Sequence, residues 1–288
     1  MPTTEADRSL APDWGFVGHY VGRASVVPDW GVLGQYEFIA DALLPIARVV
    51  VDTARIKPGE AVLDVGSRGG NWALLAAQAG ASVTGIDFSP RLLQAARVKL
   101  KDYPGARFEF ADVARLPFAD RSFDAVIDVV TLMFGAAREQ AVAEMARVLK
   151  PNGRIVWTGW AGGDAIAEIA KIQIEATAAV VGHAPFPYSY WGDEDDMRKL
   201  FGAQGFEIQM VKHPMVNTGP SPRAFLEGLD QVHPVSRACS LALEKAGMLE
   251  QTMAKIVGVL ERRNEDPQAF KVSRHFVVGV ATRKHDKR

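Results

Sequence analysis

The chain has 288 residues, of which 48% are hydrophobic and 23% charged, and its formal net charge at pH 7 is −1. This composition is typical of a soluble globular protein and gives no indication of binding to nucleic acid or to an anionic membrane. A single cysteine, Cys239, excludes an intrachain disulfide framework and a cysteine-based zinc site, so we expect a cytoplasmic protein without a metal. No apolar run approaches the length of a membrane span, and the polar first ten residues lack the apolar core of a signal peptide.

The N-terminal part of the chain is predicted to be a helical cover. Residues 11–34 are rich in Gly, Trp and Pro and have no clear period. Residues 37–54 have the apolar spacing of a helix, which ends at the turn signal Lys57-Pro58-Gly59. We therefore predict a cover over residues 1–57 and a second domain over residues 58–288.

Strands and helices are predicted to alternate from residue 61 onward. Helices at this spacing between strands predict a parallel sheet covered on both faces, and the dipeptide Ser89-Pro90 is typical of a helix start. The predicted strands are 61–65, 82–86, 107–111, 123–130 and 153–158, and the predicted helices are 71–79, 90–101 and 137–149.

The alternation breaks after residue 160. Residues 193–212 predict a helix and a strand, residues 221–264 predict helices, and a last strand is predicted near residues 275–280. We therefore predict an α/β protein with a doubly wound, Rossmann-like and mostly parallel sheet of seven strands. Helical lid segments are expected to be inserted near residues 161–192 and 213–272.

A glycine turn follows the first predicted strand, in the sequence Asp64-Val65-Gly66-Ser67-Arg68-Gly69-Gly70. Such a turn leaves backbone N–H groups available and lets a ligand approach the main chain closely. Asp87 ends the second strand, 21 residues after Gly66, a spacing that places its carboxylate near the ribose hydroxyls of a bound nucleoside. The alternative is that Asp87 only caps the following helix. The turn does not match G-x-G-x-x-G, which disfavours a dinucleotide enzyme.

Several segments in this order resemble class I S-adenosylmethionine-dependent methyltransferases, in the small-molecule branch typified by ubiquinone and menaquinone biosynthesis. The resemblance is strong over residues 36–160 and weaker over 185–212 and 273–283. Its motifs are Val62-Leu63-Asp64-Val65-Gly66, Gly85-Ile86-Asp87-Phe88-Ser89, Ala111-Asp112-Val113, and residues 116–124, 131–134 and 144–153.

The resemblance implies S-adenosylmethionine as the cofactor. It implies that Asp112 faces the adenine amino group and that Tyr36 packs near the cofactor. The full set of predicted cofactor-binding residues is Tyr36, Asp64, Gly66, Ser67, Arg68, Gly70, Asp87, Phe88, Asp112, Val113 and Val129.

Two positions depart from the family pattern. Arg68 stands where such families usually carry glycine, so its guanidinium either pairs with the carboxylate of the ligand, obstructs the cofactor, or points into solvent. Met133-Phe134 follows the fourth strand where many relatives carry paired histidines, so this segment offers no proton acceptor.

The substrate side is predicted from histidines and aromatic residues in the covering segments. His19 and His183 are the candidate catalytic bases, although each is also compatible with a packing or surface role. An aromatic cluster at the ends of strands would form a largely apolar pocket, the alternative being core packing. Its predicted substrate-binding members are Tyr20, Trp30, Trp160, Tyr188, Tyr190 and Trp191.

These features predict a methyltransferase that acts on a small, largely apolar metabolite by O- or C-methylation, of the natural-product or quinone type. One alternative is a cofactor-binding protein on the same fold that catalyses a cyclisation or rearrangement without methyl transfer. Another is a binding module without activity. The expected partner is a small-molecule substrate, with no nucleic acid and no membrane span, and the sequence leaves open whether the chain forms a homodimer.

Overall fold

A computed structural model describes residues 43–134, 137–183 and 191–284. The predicted roles of His19, Tyr20, Trp30, Tyr36, Tyr188 and Tyr190 lie outside these ranges, as does most of the predicted N-terminal cover. The described strands are β1 Ala61–Val65, β2 Ser82–Asp87, β3 Arg107–Phe110, β4 Phe123–Asp128, β5 Leu149–Trp160, β6 Phe206–Gly219 and β7 Phe270–Arg283.

These strands form one sheet of seven, in the order β3-β2-β1-β4-β5-β7-β6. At the centre, strand β1 pairs in parallel with both β2 and β4. Strand β2 also pairs in parallel with β3, and β4 with β5, whereas β7 runs antiparallel to β5. The central strands β1 and β4 are mostly apolar and buried, as expected for strands that are covered on both faces. The predicted α/β, Rossmann-like and mostly parallel sheet is therefore confirmed.

Helices follow the strands as predicted. Ser89 and Ser221 cap two of them, because the Oγ of each accepts a hydrogen bond from a backbone N–H three residues later and a proline occupies the first helical position. A short 3-10 turn, Leu132–Phe134, follows β4. The helices are α1 Leu44–Ala54, α2 Asn71–Gln78, α3 Pro90–Lys99, α4 Arg138–Val148, α5 Ala165–Val181, α6 Glu194–Gly202, α7 Pro222–Val232, α8 Pro234–Lys245 and α9 Leu249–Arg262.

Several strand boundaries differ from the prediction, among them the end of β4 and the start of β5. Strand β4 ends at Asp128 rather than at residue 130, because the Asp128 carboxylate accepts the backbone N–H groups of Thr131 and Leu132 and closes a turn. Strand β5 begins at Leu149 rather than at residue 153, since an irregularity in its pairing with β4 absorbs the residues that read as a turn.

The chain packs into two compact units. The sheet unit includes residues 43–134, 137–164, 191–216 and 273–284, with a continuous apolar core around the central strands. The helical unit includes residues 165–183 and 217–272 and has a core of its own, built by Leu226, Ile256, Leu260 and Phe270 among others. Its action as a lid, and the predicted boundary at residue 57, stay predictions. No helix within the described ranges has both the length and the apolar character that crossing a bilayer requires.

The cap of α7 allows a stability prediction. Replacing Ser221 with alanine removes the acceptor of the Ala224 N–H, 3.1 Å away, and should lower the free energy of unfolding by about 0.5–2 kcal/mol. Urea unfolding measures this value, with Ser221→Thr as the control because threonine keeps the hydroxyl. Equal stability of the alanine and threonine variants would show that this cap contributes nothing.

Candidate cofactor site

The loop after β1 is held tightly between its neighbours. Gly66 has a φ of +66°, and a Cβ added there would lie only 2.2 Å from Cγ2 of Thr131, so glycine is required on both grounds. The Ser67 N–H donates to the carbonyl of Ile86 at 2.8 Å, and the Gly70 N–H donates to the carbonyl of Ser67 at 2.9 Å. The loop is therefore bound to the end of β2 and lies against the segment after β4.

Asp87 secures this loop from the end of β2. Its Oδ2 accepts the Arg68 N–H at 2.9 Å, and its Oδ1 accepts the Ser89 N–H at 2.9 Å. Asp87 therefore helps to fix the start of α3, as the alternative interpretation expects in part, although the side chain that caps this helix is that of Ser89. The carboxylate lies at the carboxyl end of the strand, where ligands of such sheets bind, and its contact with a ribose stays a prediction.

Two further carboxyl groups, Asp64 on β1 and Asp128 on β4, lie buried on neighbouring strands. Within the described ranges, Oδ2 of each carboxyl group is buried without a hydrogen-bond partner. Burial raises the pKa of each carboxyl to about 7, opposed at Asp64 by a hydrogen bond from Ser67 and at both carboxyls by the positive charge of Arg68. Buried polar atoms are normally satisfied, so these two oxygens could accept hydrogen bonds from a ligand.

Arg68 lies between these acids. Its φ of +52° belongs to the left-handed region that suits the glycine usual in the family. Its Nη2 donates to the carbonyl of Val130 at 2.5 Å, and Val130 itself has a φ of +57°, which is rare for a β-branched residue. The half-buried guanidinium therefore reaches from the loop after β1 to the end of β4 and does not point into solvent.

The remaining predicted cofactor residues follow β2, β3 and β4. Asp112 is half-buried after β3, and burial raises the pKa of its carboxyl while Oδ1 accepts the Ala114 N–H at 2.9 Å. Phe88 and Val113 are half-buried, and Val129 is buried directly after β4. The structure thus places the described members of the predicted set at the carboxyl ends of four adjacent strands, the edge at which open α/β sheets bind ligands.

The two described members of the predicted substrate pocket, Trp160 and Trp191, lie in the sheet unit. Trp160 ends β5 and is 9% exposed, with the Arg274 guanidinium 3.3 Å from its ring centroid. Trp191 is fully buried in the sheet unit, edge-on to Phe201. His183 is an exposed residue of the helical unit, and its role as a base stays a prediction.

The sequence prediction missed Asp128 and Val130. The sequence does contain a signal, since Asp128 ends an apolar strand just as Asp87 does. The apolar residues Val129 and Val130 that follow it made the strand appear to continue to residue 130. Met133 is buried after β4 and offers no proton acceptor, as predicted. Among the described residues, no group of three or more His, Cys, Asp or Glu side chains is arranged to hold a metal ion.

Comparison with known proteins agrees with this geometry. Residues 63–157 match the family model of the methyltransferase domain. An uncharacterised protein of Mycobacterium tuberculosis is 32% identical over 163 residues, 56% of this chain and 59% of that protein. The demethylmenaquinone methyltransferase of Tropheryma whipplei is 43% identical over 101 residues, 35% of this chain and 42% of the enzyme. The chain thus spans less than two thirds of the length of these relatives.

Solved structures share the fold. The YcgJ protein of Bacillus subtilis has a TM-score of 0.58 at 19% identity, covering 83% of this chain and 98% of YcgJ. The [4+2]-cyclase SpnF has a TM-score of 0.53 at 19% identity, covering 87% of each chain. Residues 63–157 of this chain therefore match the methyltransferase domain, and its seven-stranded sheet has the fold that these solved structures share.

Proposed function

We propose that this protein transfers a methyl group from S-adenosylmethionine to a small, largely apolar metabolite. One observation carries the proposal: Asp64 Oδ2 and Asp128 Oδ2 are buried without hydrogen-bond partners at the carboxyl ends of two adjacent strands. Acceptors of this kind suit the ammonium group of the methionine moiety of the cofactor.

The residues present fit the rest of that cofactor. Asp87 is placed to accept hydrogen bonds from ribose hydroxyls, and Asp112 from the adenine amino group. Arg68 supplies a guanidinium that pairs with the methionine carboxylate. When bound, the cofactor supplies a methyl group on a sulfonium that is open to nucleophilic attack. The protein then contributes by alignment and by exclusion of water, and alignment can be worth about 7–11 kcal/mol.

The acceptor atom decides which base is needed. A hydroxyl acceptor loses a proton during transfer, and the buried thioether of Met133 cannot take it. For O-methylation we propose His19 or His183 as the base. A carbon acceptor flanked by hydroxyl groups also loses one proton, but its hydroxyl groups already make the carbon nucleophilic, so the demand on a protein base is smaller.

A second function, cyclisation or rearrangement without methyl transfer, is favoured by one feature of the chain. Arg68 occupies a position beside Asp64 and Asp128 that glycine would leave open.

The test has two steps. Calorimetric titration with S-adenosylhomocysteine should show binding, and its absence would contradict both functions. Incubation with an extract of the host and S-adenosylmethionine labelled in the methyl group should then yield a labelled small molecule. A product of unchanged mass with no label would instead support the rearrangement.

Cofactor binding should depend on pH through Asp64 and Asp128. Asp64 faces Ser67, Arg68 and Asp87, while Asp128 faces Arg68, Asp64 and the N–H groups of Thr131 and Leu132. Only ionised carboxylates bind an ammonium group well, so affinity for S-adenosylhomocysteine should rise about tenfold from pH 6 to pH 8 for a group with a pKa of about 7.

The raised pKa values of Asp64 and Asp128 also predict how the stability of the protein depends on pH. Each carboxyl has a pKa above its unfolded value, so the folded protein binds more protons between about pH 4 and pH 7, and the free energy of unfolding falls as the pH rises through that window. Titration in buffers of different ionisation enthalpy should show proton release on binding near pH 6.5. Asp128→Asn should reduce that release, and an unchanged proton count in Asp128→Asn would contradict the assignment.

A further inference from the structure

The segment after β4 contains a strained residue whose backbone is held from two sides. Val130 is buried and has a φ of +57°, a conformation that β-branched residues rarely adopt. Its N–H donates to Oγ1 of Thr158 at 2.8 Å, and its carbonyl accepts a hydrogen bond from Nη2 of Arg68 at 2.5 Å. A conformation of this kind persists only where its surroundings hold it, and these two hydrogen bonds hold the backbone of Val130.

Thr158 supplies the acceptor from the neighbouring strand. It lies on β5, one residue beyond the last pair between β4 and β5, which joins Asp128 to Trp157, and it is fully buried. Its neighbours on the strand, Val156 and Trp157, are buried and apolar. A hydroxyl is costly in such surroundings unless it makes a hydrogen bond, so the bond to Val130 is what suits threonine to this position.

The hydroxyl of Thr158 also helps to end strand β4. The apolar run of β4 continues to Val130, but the N–H of Val130 is bound by Thr158, and the N–H groups of the next two residues are bound by Asp128. A ladder of backbone hydrogen bonds cannot continue through donors that are bound to side chains. The chain therefore turns at Val130, and the carbonyl of this residue is brought to Arg68.

Arg68 is held both at its backbone and at the far end of its side chain. Its N–H donates to Oδ2 of Asp87 at 2.9 Å, and its guanidinium donates to the carbonyl of Val130. A rotation of φ at Val130 to the usual negative values would turn this carbonyl relative to the N–H and withdraw it from Arg68. Thr158 opposes that rotation because it holds the N–H of Val130. The position of the guanidinium therefore depends on a hydroxyl two residues away in the hydrogen-bond chain.

We propose that Thr158 is a positioning residue that, through the backbone of Val130, sets where the guanidinium of Arg68 meets the carboxylate of a bound S-adenosylmethionine. This inference rests on the proposed methyltransferase function and deepens it, because it assigns part of the selectivity for that carboxylate to a residue of β5. The alternative is a purely structural role, in which the hydroxyl only satisfies a buried N–H. Ligand selectivity separates the two, because a purely structural role gives no reason to favour one ligand over another.

The test compares S-adenosylmethionine with its decarboxylated form by calorimetry. Thr158→Val keeps the size of the side chain but removes the acceptor of the Val130 N–H, whereas Thr158→Ser keeps the hydroxyl. The valine variant should bind S-adenosylmethionine about tenfold more weakly and the decarboxylated form as the wild type does, while the serine variant should keep the wild-type preference. Thr84→Val removes the hydroxyl of another buried threonine of the sheet unit and is the matched control, which should leave both affinities unchanged.

A double-mutant cycle tests the route through Arg68. In Arg68→Gln, the further change Thr158→Val should leave the ratio of the two affinities as it is, because the group that Thr158 positions is gone. A change of that ratio would overturn the inference, since Thr158 would then act by another route.

Three other results would overturn the inference as well. They are an equal loss for both ligands in Thr158→Val, an unchanged preference in that variant, and a wild type that binds both ligands equally. Thr158→Ala removes the same hydroxyl and takes the place of the valine variant if that variant does not fold. Failure of the wild type to bind either ligand would instead contradict the proposed function.

Discussion

Replacing Asp87 with alanine will weaken binding of S-adenosylhomocysteine about ten- to hundredfold, because hydrogen bonds from ribose hydroxyls to a charged group contribute about 1.5–3 kcal/mol each. The same carboxylate also accepts the N–H groups of Arg68 and Ser89, so the substitution loosens the loop after β1. A fall in affinity alone therefore does not identify the ribose contact.

A ligand without the hydroxyls separates the two contributions. In the wild type, the 2′,3′-dideoxy analogue of S-adenosylhomocysteine should bind about ten- to hundredfold more weakly than the parent compound. In Asp87→Ala the two ligands should bind equally, since the group that distinguishes them is gone. Asp102→Ala, which removes an exposed acid, is the control and should change neither affinity. If Asp87→Ala weakens both ligands by the same factor, Asp87 holds the loop and does not bind the sugar.

Local patterns in the sequence predict most of the sheet. Strands β1 and β2 are short apolar runs bounded by turn signals, and their predicted bounds agree with the structure to within one residue. The position of Asp87 follows from the same pattern, because an acid that ends a buried strand in a parallel sheet lies at the ligand edge.

Features that depend on contacts between distant segments were not predictable in this way. The apolar run of β4 continues through Val130, yet the strand ends at Asp128, because a buried carboxylate captures the N–H groups that follow it. The contact of the Arg138 guanidinium with the Trp191 ring joins segments that are far apart in the chain, and neither residue has a local signal. Only the folded sheet unit brings them together.

The position of the Arg68 side chain also depends on contacts between distant segments. Its sequence context left pairing, obstruction and solvation as alternatives, whereas the structure places its guanidinium on the carbonyl of Val130, close enough to Asp64 and Asp128 to oppose their raised pKa values. The unpartnered oxygens of those acids remain available beside it. One cation among two buried acids suits a ligand that carries both an ammonium and a carboxylate, because each ligand charge then meets its opposite.

The preference for a ligand carboxylate should therefore depend on Arg68. We expect the wild type to bind S-adenosylmethionine about ten- to hundredfold more tightly than its decarboxylated form, since a charged hydrogen bond contributes about 1.5–3 kcal/mol. Arg68→Gln should abolish this preference, mainly by weakening S-adenosylmethionine. Glutamine is a better test than glycine, because glycine would also change the backbone freedom of a residue with a positive φ.

Calorimetry with the two ligands decides between pairing and obstruction. If the guanidinium obstructs the cofactor, both ligands should bind Arg68→Gln more tightly by the same factor, and the preference between them should stay as it is in the wild type. Arg198→Gln, which removes an exposed arginine of α6, is the control and should leave both affinities unchanged. A loss of affinity for S-adenosylmethionine alone is expected only if Arg68 contacts the carboxylate of the ligand. Without that contact, removing a cation that lies near Asp64 and Asp128 should strengthen the binding of both positively charged ligands.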